Sequence, residues 1–177
     1  MSSSRRNTWG VMAAHNDSRS SVRPEIKAVV LDVDGVLTDG TFWWDAHDAE
    51  LKRFSFRDVM GIARATRAGM IFALISGEKS AIVDRYAAKL GIAHVWQDCK
   101  DKAAALREFA ARQSLDLGEI CFMGDDVNDL SAIELAGFTA APADAHESVL
   151  ATVTLVTKRP AGNGAVREML DFLALKK

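Results

Sequence analysis

From about residue 25 onward, short continuous apolar runs alternate with segments whose apolar residues recur at helical spacing. Ala28-Val29-Val30-Leu31, Ile71 to Ile75 and Ile120 to Met123 are uninterrupted apolar stretches of strand length, each running out into a polar or glycine-rich turn. A strand with no alternating polar side is buried on both faces, which is the habit of parallel sheets. His94 to Trp96, Phe138 to Ala141 and Val153 to Val156 read as further strands. Helical patterns cover about 58–68, 80–90, 101–114, 128–136 and 164–175. Gly69, Gly91 and Gly137 stand where such helices end, as C-cap glycines do. This order predicts an α/β domain, a Rossmann-like parallel sheet with helices on both faces. Such sheets bind ligands at the carboxyl ends of their strands.

One segment breaks the alternation. Thr41 to Phe56 has two β-prone arms, Phe42–Trp44 and Leu51–Phe56, around an Asp/His/Ala/Glu centre, and predicts a β-hairpin inserted after the first strand. Neighbouring residues of a strand point to opposite faces, so Trp43 and Trp44 cannot both be buried against one core. One of them is expected to meet a second surface. Residues 1–24 are rich in Ser, Arg and Asn and have no hydrophobic period. The apolar run Val11 to Ala14 is too short for the core of a signal peptide. The expectation is a mobile tail followed by a single domain over 25–177.

Composition narrows the class. The 177 residues are 49% hydrophobic and 26% charged, the balance of a globule with a real core. A net charge of −2 carries no nucleic-acid footprint. No apolar run reaches the ~20 residues of a membrane helix. Cys99 and Cys121 form neither a metal-type spacing nor a disulfide framework, so a reducing, cytoplasmic setting is expected. His15, His47, His94 and His146 show no ligand spacing.

The chemistry gathers at three strand ends. The first strand runs into Asp32-Val33-Asp34-Gly35-Val36-Leu37-Thr38-Asp39, the second long run ends in Ser76-Gly77, and the third in Gly124-Asp125-Asp126-Val127-Asn128-Asp129. Carboxylates brought together repel unless a cation lies among them, and Mg²⁺ with oxygen ligands is the physical resolution. Ser76-Gly77-Glu78-Lys79-Ser80 lacks the Gly-x-x-x-x-Gly-Lys arrangement that wraps nucleotide phosphates.

These motifs, in this order, resemble those of the haloacid dehalogenase-like phosphatases. Asp32 to Thr38 is similar to the first motif, Ser76 to the second, Lys102 to the third and Gly124-Asp125-Asp126-x-x-Asp129 to the fourth, over residues 27 to about 170. The resemblance implies that Asp32 attacks phosphorus and forms an aspartyl-phosphate, splitting one displacement into two. Asp34 would protonate the leaving oxygen and later take a proton from water. Mg²⁺ would be held by Asp32, the main-chain carbonyl of Asp34 and Asp125, with Asp126 or Asp129 supporting through water. Lys102 would offset the charge on Asp32 and the phosphoryl oxygens, and Ser76 with the Gly77 amide would bind a phosphate oxygen. Thr38, Arg57 and Glu78 join the expected substrate-binding set. The residues alone leave rivals open: Lys100 and Lys79 compete with Lys102, and Asp126 and Asp129 could serve only as helix caps.

Spacing speaks against a cap domain. Asp34 and Ser76 are 42 residues apart, most of them used by the hairpin and one helix, and Ser76 and Lys102 are 26 apart, filled by a helix and a short strand. Water exclusion must then come from a partner or a large substrate. Asp34 to Gly40 followed by the hairpin, Lys52-x-Phe54, Arg57-Asp58 and Gly164-Ala165-Val166-Arg167-Glu168 resemble the capless 3-deoxy-manno-octulosonate 8-phosphate phosphatases of lipopolysaccharide biosynthesis. That likeness implies a homotetramer with a central barrel of hairpins, each site roofed by a neighbouring chain. Several positions depart from the pattern. Glu78 stands where Arg is common, Val59 where Gly is usual, Asn128 for Pro, and Pro160-Ala161-Gly162-Asn163 for a Gly-Gly pair. A carboxylate at 78 repels an anionic sugar acid. The readings beside this one are a phosphatase of a nine-carbon sugar-acid phosphate or another small ester, a small subunit of a phenylphosphate carboxylase-like complex, and a phosphoacceptor receiver domain. Receivers carry their acidic pair early and the phosphorylated Asp in mid-chain, the reverse of the order here.

Overall fold

Strand β1 (Ala28–Leu31) has no solvent exposure at any residue and pairs in parallel on both sides, with β4 (Ile71–Ile75) and β6 (Ile120–Met123). The computed structural model describes residues 25–174; the expected N-terminal tail lies outside the described residues. Outward from these three strands, β5 (His94–Trp96) adds to β4, and β7 (Phe138–Ala141) and β8 (Leu155–Val156) add to β6. The result is a six-stranded, all-parallel sheet in the order β5-β4-β1-β6-β7-β8. The chain leaves β1 toward one side and later returns to its other side, so the topological switch point lies at the carboxyl end of β1.

Alternation along each strand sorts the core into two layers. Val29, Leu31, Phe72, Leu74, Cys121 and Met123 face α1 (Phe56–Arg67), α2 (Ala81–Leu90) and α6 (Ala165–Ala174). Ala28, Val30, Ala73, Ile75, Ile120 and Phe122 face α3 (Lys102–Gln113), α4 (Leu130–Ile133) and α5 (Glu147–Leu150). Both faces are covered, which is why the strands read as apolar runs without a polar period. The helices begin where side chains can satisfy their free amides: Ser55 Oγ accepts from Arg57 N at 3.2 Å, Ser80 Oγ from Ile82 N at 3.3 Å, and Asp101 Oδ1 from Ala104 N at 2.9 Å.

Three sequence expectations change. The helix expected over 128–136 is a single 3₁₀ turn, Val127–Asp129, followed by the four residues of α4. Asp126 and Asp129 bind the local backbone and tighten the chain there. Gly137 is not a left-handed cap like Gly91. A Cβ on it would lie 2.1 Å from the Gly118 carbonyl oxygen, so close approach of two loops requires it. The hairpin is shorter than expected, with β2 (Trp43–Trp44) antiparallel to β3 (Glu50–Leu51) and Trp43 opposite Leu51. Its return arm ends at Leu51, and Phe56, expected in that arm, instead starts α1 behind the Ser55 cap. Trp43 and Trp44 are both exposed, at 53% and 68%, beside exposed Phe42 and Leu51. Neither indole joins the core. The interval between Asp34 and Ser76 holds only the hairpin, α1 and β4, and that between Ser76 and Lys102 only α2 and β5, so among the described residues no cap domain covers the sheet.

Candidate active site

β1, β4 and β6 are neighbours, so Asp32, Ser76 and Asp125 emerge side by side from their carboxyl ends. The loop after β1 turns back on itself, with the amides of Leu37 and Thr38 both donating to Val33 O at 2.9 and 3.0 Å. Gly35 takes a left-handed φ of 84° in this turn. A Cβ there would stand 2.0 Å from Asp125 Oδ2, so only glycine lets the two acidic loops meet.

The meeting point is a buried cluster. Carboxylate oxygens of Asp32, Asp125 and Asp129 come within 4.8 Å of one another. Lys102, at the first turn of α3, is 1% exposed and reaches Asp32 Oδ1 at 2.9 Å and Asp129 Oδ1 at 2.6 Å. Asp129 spends its other oxygen on the amides of Asp125 (2.9 Å) and Asp126 (3.3 Å), which fixes the loop that presents Asp125. One ammonium faces three carboxylates, and the electrostatics reflect that imbalance. Burial, with the negative charge of Asp129, pushes Asp32 up to about 6 despite Lys102. Burial, with Asp32 and Asp129, pushes Asp125 up to about 8. Burial alone would lower the Lys102 ammonium, but Asp32 and Asp129 outweigh it and raise it. Asp125 Oδ1 is buried and has no hydrogen-bond partner. An orphaned carboxylate oxygen beside two further carboxylates is what a hard divalent cation with oxygen ligands requires, so the donor set fits Mg²⁺.

The other expected residues distribute around this cluster. The Asp34 carboxylate is partly exposed and turned to the hairpin, where Lys52 Nζ donates to both of its oxygens at 2.8 Å. Thr38 is fully buried; its hydroxyl donates to Asp34 Oδ1 at 3.3 Å and accepts from the amides of Gly35 and Gly40. It shapes the loop from within. Ser76 is 1% exposed and its Oγ accepts from the Glu78 amide at 3.2 Å. Asn128 faces Gly77, with Nδ2 3.6 Å from where a Cβ would be. Glu78 is exposed, with Lys100 Nζ 3.9 Å away. Lys100 binds Gly77 O at 2.7 Å and Asp98 at 3.2 Å, while Lys79 is exposed; of the three lysines only Lys102 enters the cluster. Asp126 is exposed and caps the following turn through Val127 N at 2.7 Å. Arg57 is not drawn into the carboxylate cluster. Its guanidinium donates to Asn163 Oδ1 at 3.1 Å, and with Arg159, Gly164 and Arg167 it lines an open hollow of about 310 Å³.

Two residues outside the expected set hold the site in shape. Lys52 is the first, recognisable in sequence only as part of a Lys-x-Phe pair. Asp58 is the second. It is fully buried and accepts from Gly164 N at 3.1 Å and Arg167 N at 2.8 Å, tying α1 to the start of α6. Burial raises its carboxyl, against the pull of those two amides. The segment it anchors reaches back to the loop after β1, where Gly162 N donates to Val36 O at 3.2 Å.

Comparison with known proteins agrees with this geometry. Residues 86–170 match the haloacid dehalogenase-like hydrolases. The chain is 36% identical over 150 residues to the 3-deoxy-D-manno-octulosonate 8-phosphate phosphatase KdsC of Escherichia coli K12, covering 85% of this chain and 80% of that one. The Moraxella catarrhalis 3-deoxy-D-manno-octulosonate 8-phosphate phosphatase, crystallised with magnesium, phosphate and KDO, superposes with a TM-score of 0.85 at 35% identity over 88% of this chain and 89% of that one. The cobalt-bound deoxy-D-mannose-octulosonate 8-phosphate phosphatase of Haemophilus influenzae superposes with a TM-score of 0.82 at 36% identity, covering 85% and 88%. Among the described residues no helix is long and apolar enough to cross a membrane. Likeness of sequence at this level, over most of both chains, joined to a buried cluster of carboxylates around a lysine that is ready for a cation, makes this chain a phosphatase of the haloacid dehalogenase-like hydrolases, and it belongs to their KdsC family.

Proposed function

We propose that this protein is a Mg²⁺-dependent hydrolase of 3-deoxy-D-manno-octulosonate 8-phosphate that works through an aspartyl-phosphate on Asp32. The observation that carries the chemistry is the buried cluster of Asp32, Asp125 and Asp129 around Lys102, with one Asp125 oxygen left unpartnered. Asp32 and Asp125 would hold the cation, and Asp129 keeps Asp125 in place through its amide. When bound, Mg²⁺ supplies the positive charge that lets a phosphoryl dianion approach a carboxylate.

The chain's own residues do the rest. Lys102 fixes the Asp32 carboxylate through Oδ1, leaving the other oxygen to attack phosphorus in line with the leaving group. The phosphoryl oxygens meet the Lys102 ammonium, the Ser76 hydroxyl and the Gly77 amide. Asp34 gives a proton to the departing sugar oxygen and takes one from the water that cleaves the aspartyl-phosphate. The sugar acid is the substrate that the KdsC relatives act on, at 36% identity.

The working unit is a homotetramer in the cytoplasm. The exposed surface of Phe42, Trp43, Trp44 and Leu51 supports an assembly through the hairpins, and two free cysteines suit a reducing compartment. One observation favours a second substrate. The Glu78 carboxylate stands exposed beside Ser76 and Gly77, where it can accept hydrogen bonds from sugar hydroxyls. A nine-carbon sugar-acid phosphate, presenting more hydroxyls, is the alternative.

Phosphate release with Mg²⁺ across octulosonate 8-phosphate, nine-carbon sugar-acid phosphates, hexose phosphates and phenyl phosphate tests both readings. A kcat/KM highest for octulosonate 8-phosphate supports the first, and one highest for the nine-carbon ester replaces it with the second. Release that ignores Mg²⁺ contradicts the mechanism.

A further inference from the structure

The hairpin does more than project from the sheet. Glu50 and Lys52 lie two apart on its return arm and so share one face, while Leu51 between them points the other way, opposite Trp43 and 54% exposed. The shared face is turned to the active site. Glu50 Oε1 accepts from Ser80 Oγ at 2.8 Å, at the cap of α2 just beyond the Ser76-Gly77 loop. Lys52 Nζ stands 3.5 Å from Glu50 Oε1 and 2.8 Å from both oxygens of Asp34. The Lys52 side chain is only 5% exposed although it belongs to a hairpin with exposed indoles. A long, flexible ammonium side chain buried at a hairpin root is held there by its partners.

We infer that Lys52 is a positioning residue for leaving-group protonation, holding the Asp34 carboxylate at the orientation from which it serves the departing oxygen. This rests on the role proposed for Asp34. The bridge takes both Asp34 oxygens at once, and with the Thr38 hydroxyl on Oδ1 it fixes the rotation of the carboxylate as well as its place. In the step concerned, a bond forms between Asp32 and phosphorus, the bond from phosphorus to the ester oxygen breaks, and the proton of Asp34 goes to that oxygen. An acid held a fraction of an ångström away gives little of the roughly 100-fold or greater benefit that a positioned acid provides.

The test uses leaving groups. A nitrophenolate departs without a proton and a phenolate needs one, so the ratio of kcat/KM for phenyl phosphate to that for 4-nitrophenyl phosphate reports on acid catalysis. Measured on one preparation, the ratio is independent of the active fraction, so a poorly folded variant still gives an answer. Lys52→Met is expected to lower this ratio roughly tenfold or more, and Lys52→Arg to recover most of it. An unaltered ratio in Lys52→Met overturns the inference. Asp34→Asn run in parallel separates the two levels. A lowered ratio there with an unaltered one in Lys52→Met refutes Lys52 alone, and an unaltered ratio in Asp34→Asn removes the acid itself and this inference with it.

Discussion

Gly35 and Asp125 approach so closely that a Cβ on the glycine would stand 2.0 Å from the Asp125 carboxylate oxygen. This contact joins the two acidic loops, one after β1 and one after β6, and sets how far the Asp125 carboxylate lies from Asp32. Gly35→Ala must push Asp125 aside and also strain a φ of 84°. Loss of such a support costs roughly 10–100-fold in metal affinity. Titration of Mg²⁺ by calorimetry, on wild type and Gly35→Ala, is expected to show a weakening in that range, and equal affinities would mean that the loop contact does not shape the site.

Lys102 neutralises two buried carboxylates that have no comparable substitute. Lys102→Met leaves Asp32 and Asp129 facing each other with no cation between them, and removal of one partner from a buried ion pair costs about 3–5 kcal/mol. Urea denaturation in the absence of Mg²⁺ is expected to show destabilisation of that order, with phosphatase activity lost. Lys100→Met removes only an exposed partner of Gly77, Asp98 and Glu78, and its unfolding midpoint should match wild type.

Metal and proton compete for one place. In the folded, metal-free protein, burial and the neighbouring carboxylates push Asp125 up to about 8 and Asp32 up to about 6, above the ordinary aspartate value of 3.8. The folded state therefore keeps protons that the unfolded chain has released, and its stability falls as pH rises from about 4 toward about 8. Mg²⁺ removes this penalty by replacing the proton with a bound charge. Thermal melts are expected to show a Mg²⁺-induced rise in Tm that is large near pH 8 and small near pH 5. In Asp125→Asn the metal-free protein should melt higher than wild type near pH 8 and lose most of its response to Mg²⁺. A Mg²⁺ effect that grows toward acid would contradict this description of the cluster.

Much of this is legible in the amino-acid sequence. The strands β1, β4 and β6 were visible as apolar runs because both their faces are buried, and the acidic motifs stood at their ends for the same topological reason. Lys102 is favoured over Lys100 and Lys79 by the Asp101-Lys102 pair at a helix start, and its burial between Asp32 and Asp129 bears that out. Asp34 was read as a group facing the substrate, yet its resting partner Lys52 lies 18 residues on, and pairing across a hairpin leaves no periodic trace. Asp58 was visible only as half of an Arg-Asp pair, because the amides it binds at Gly164 and Arg167 are more than a hundred residues distant. The helix expected over 128–136 failed because Asp126 and Asp129 satisfy nearby amides with their side chains and favour a tight turn over a regular helix.

The exposed hairpin yields a prediction about assembly. Trp43 and Leu51 lie opposite each other on one face of the hairpin, while Phe42 and Trp44 make an edge-to-face contact at 4.9 Å on its other face. A double substitution, Trp43→Asp with Leu51→Asp, places charge on the first of these faces without touching the sheet. Sedimentation is expected to report a tetramer for wild type and a smaller species for the variant, with phosphatase activity reduced. A wild-type monomer with full activity would rule out assembly as the source of water exclusion.

The most direct test of the central claim is single-turnover hydrolysis of octulosonate 8-phosphate with Mg²⁺, by wild type and by Asp32→Asn, with acid quenching and mass measurement of the protein. Wild type is expected to release phosphate through a transient phosphoryl adduct on the peptide containing Asp32, and Asp32→Asn to form no adduct and release none while retaining its fold. Phosphate release by Asp32→Asn at the wild-type rate would contradict the account.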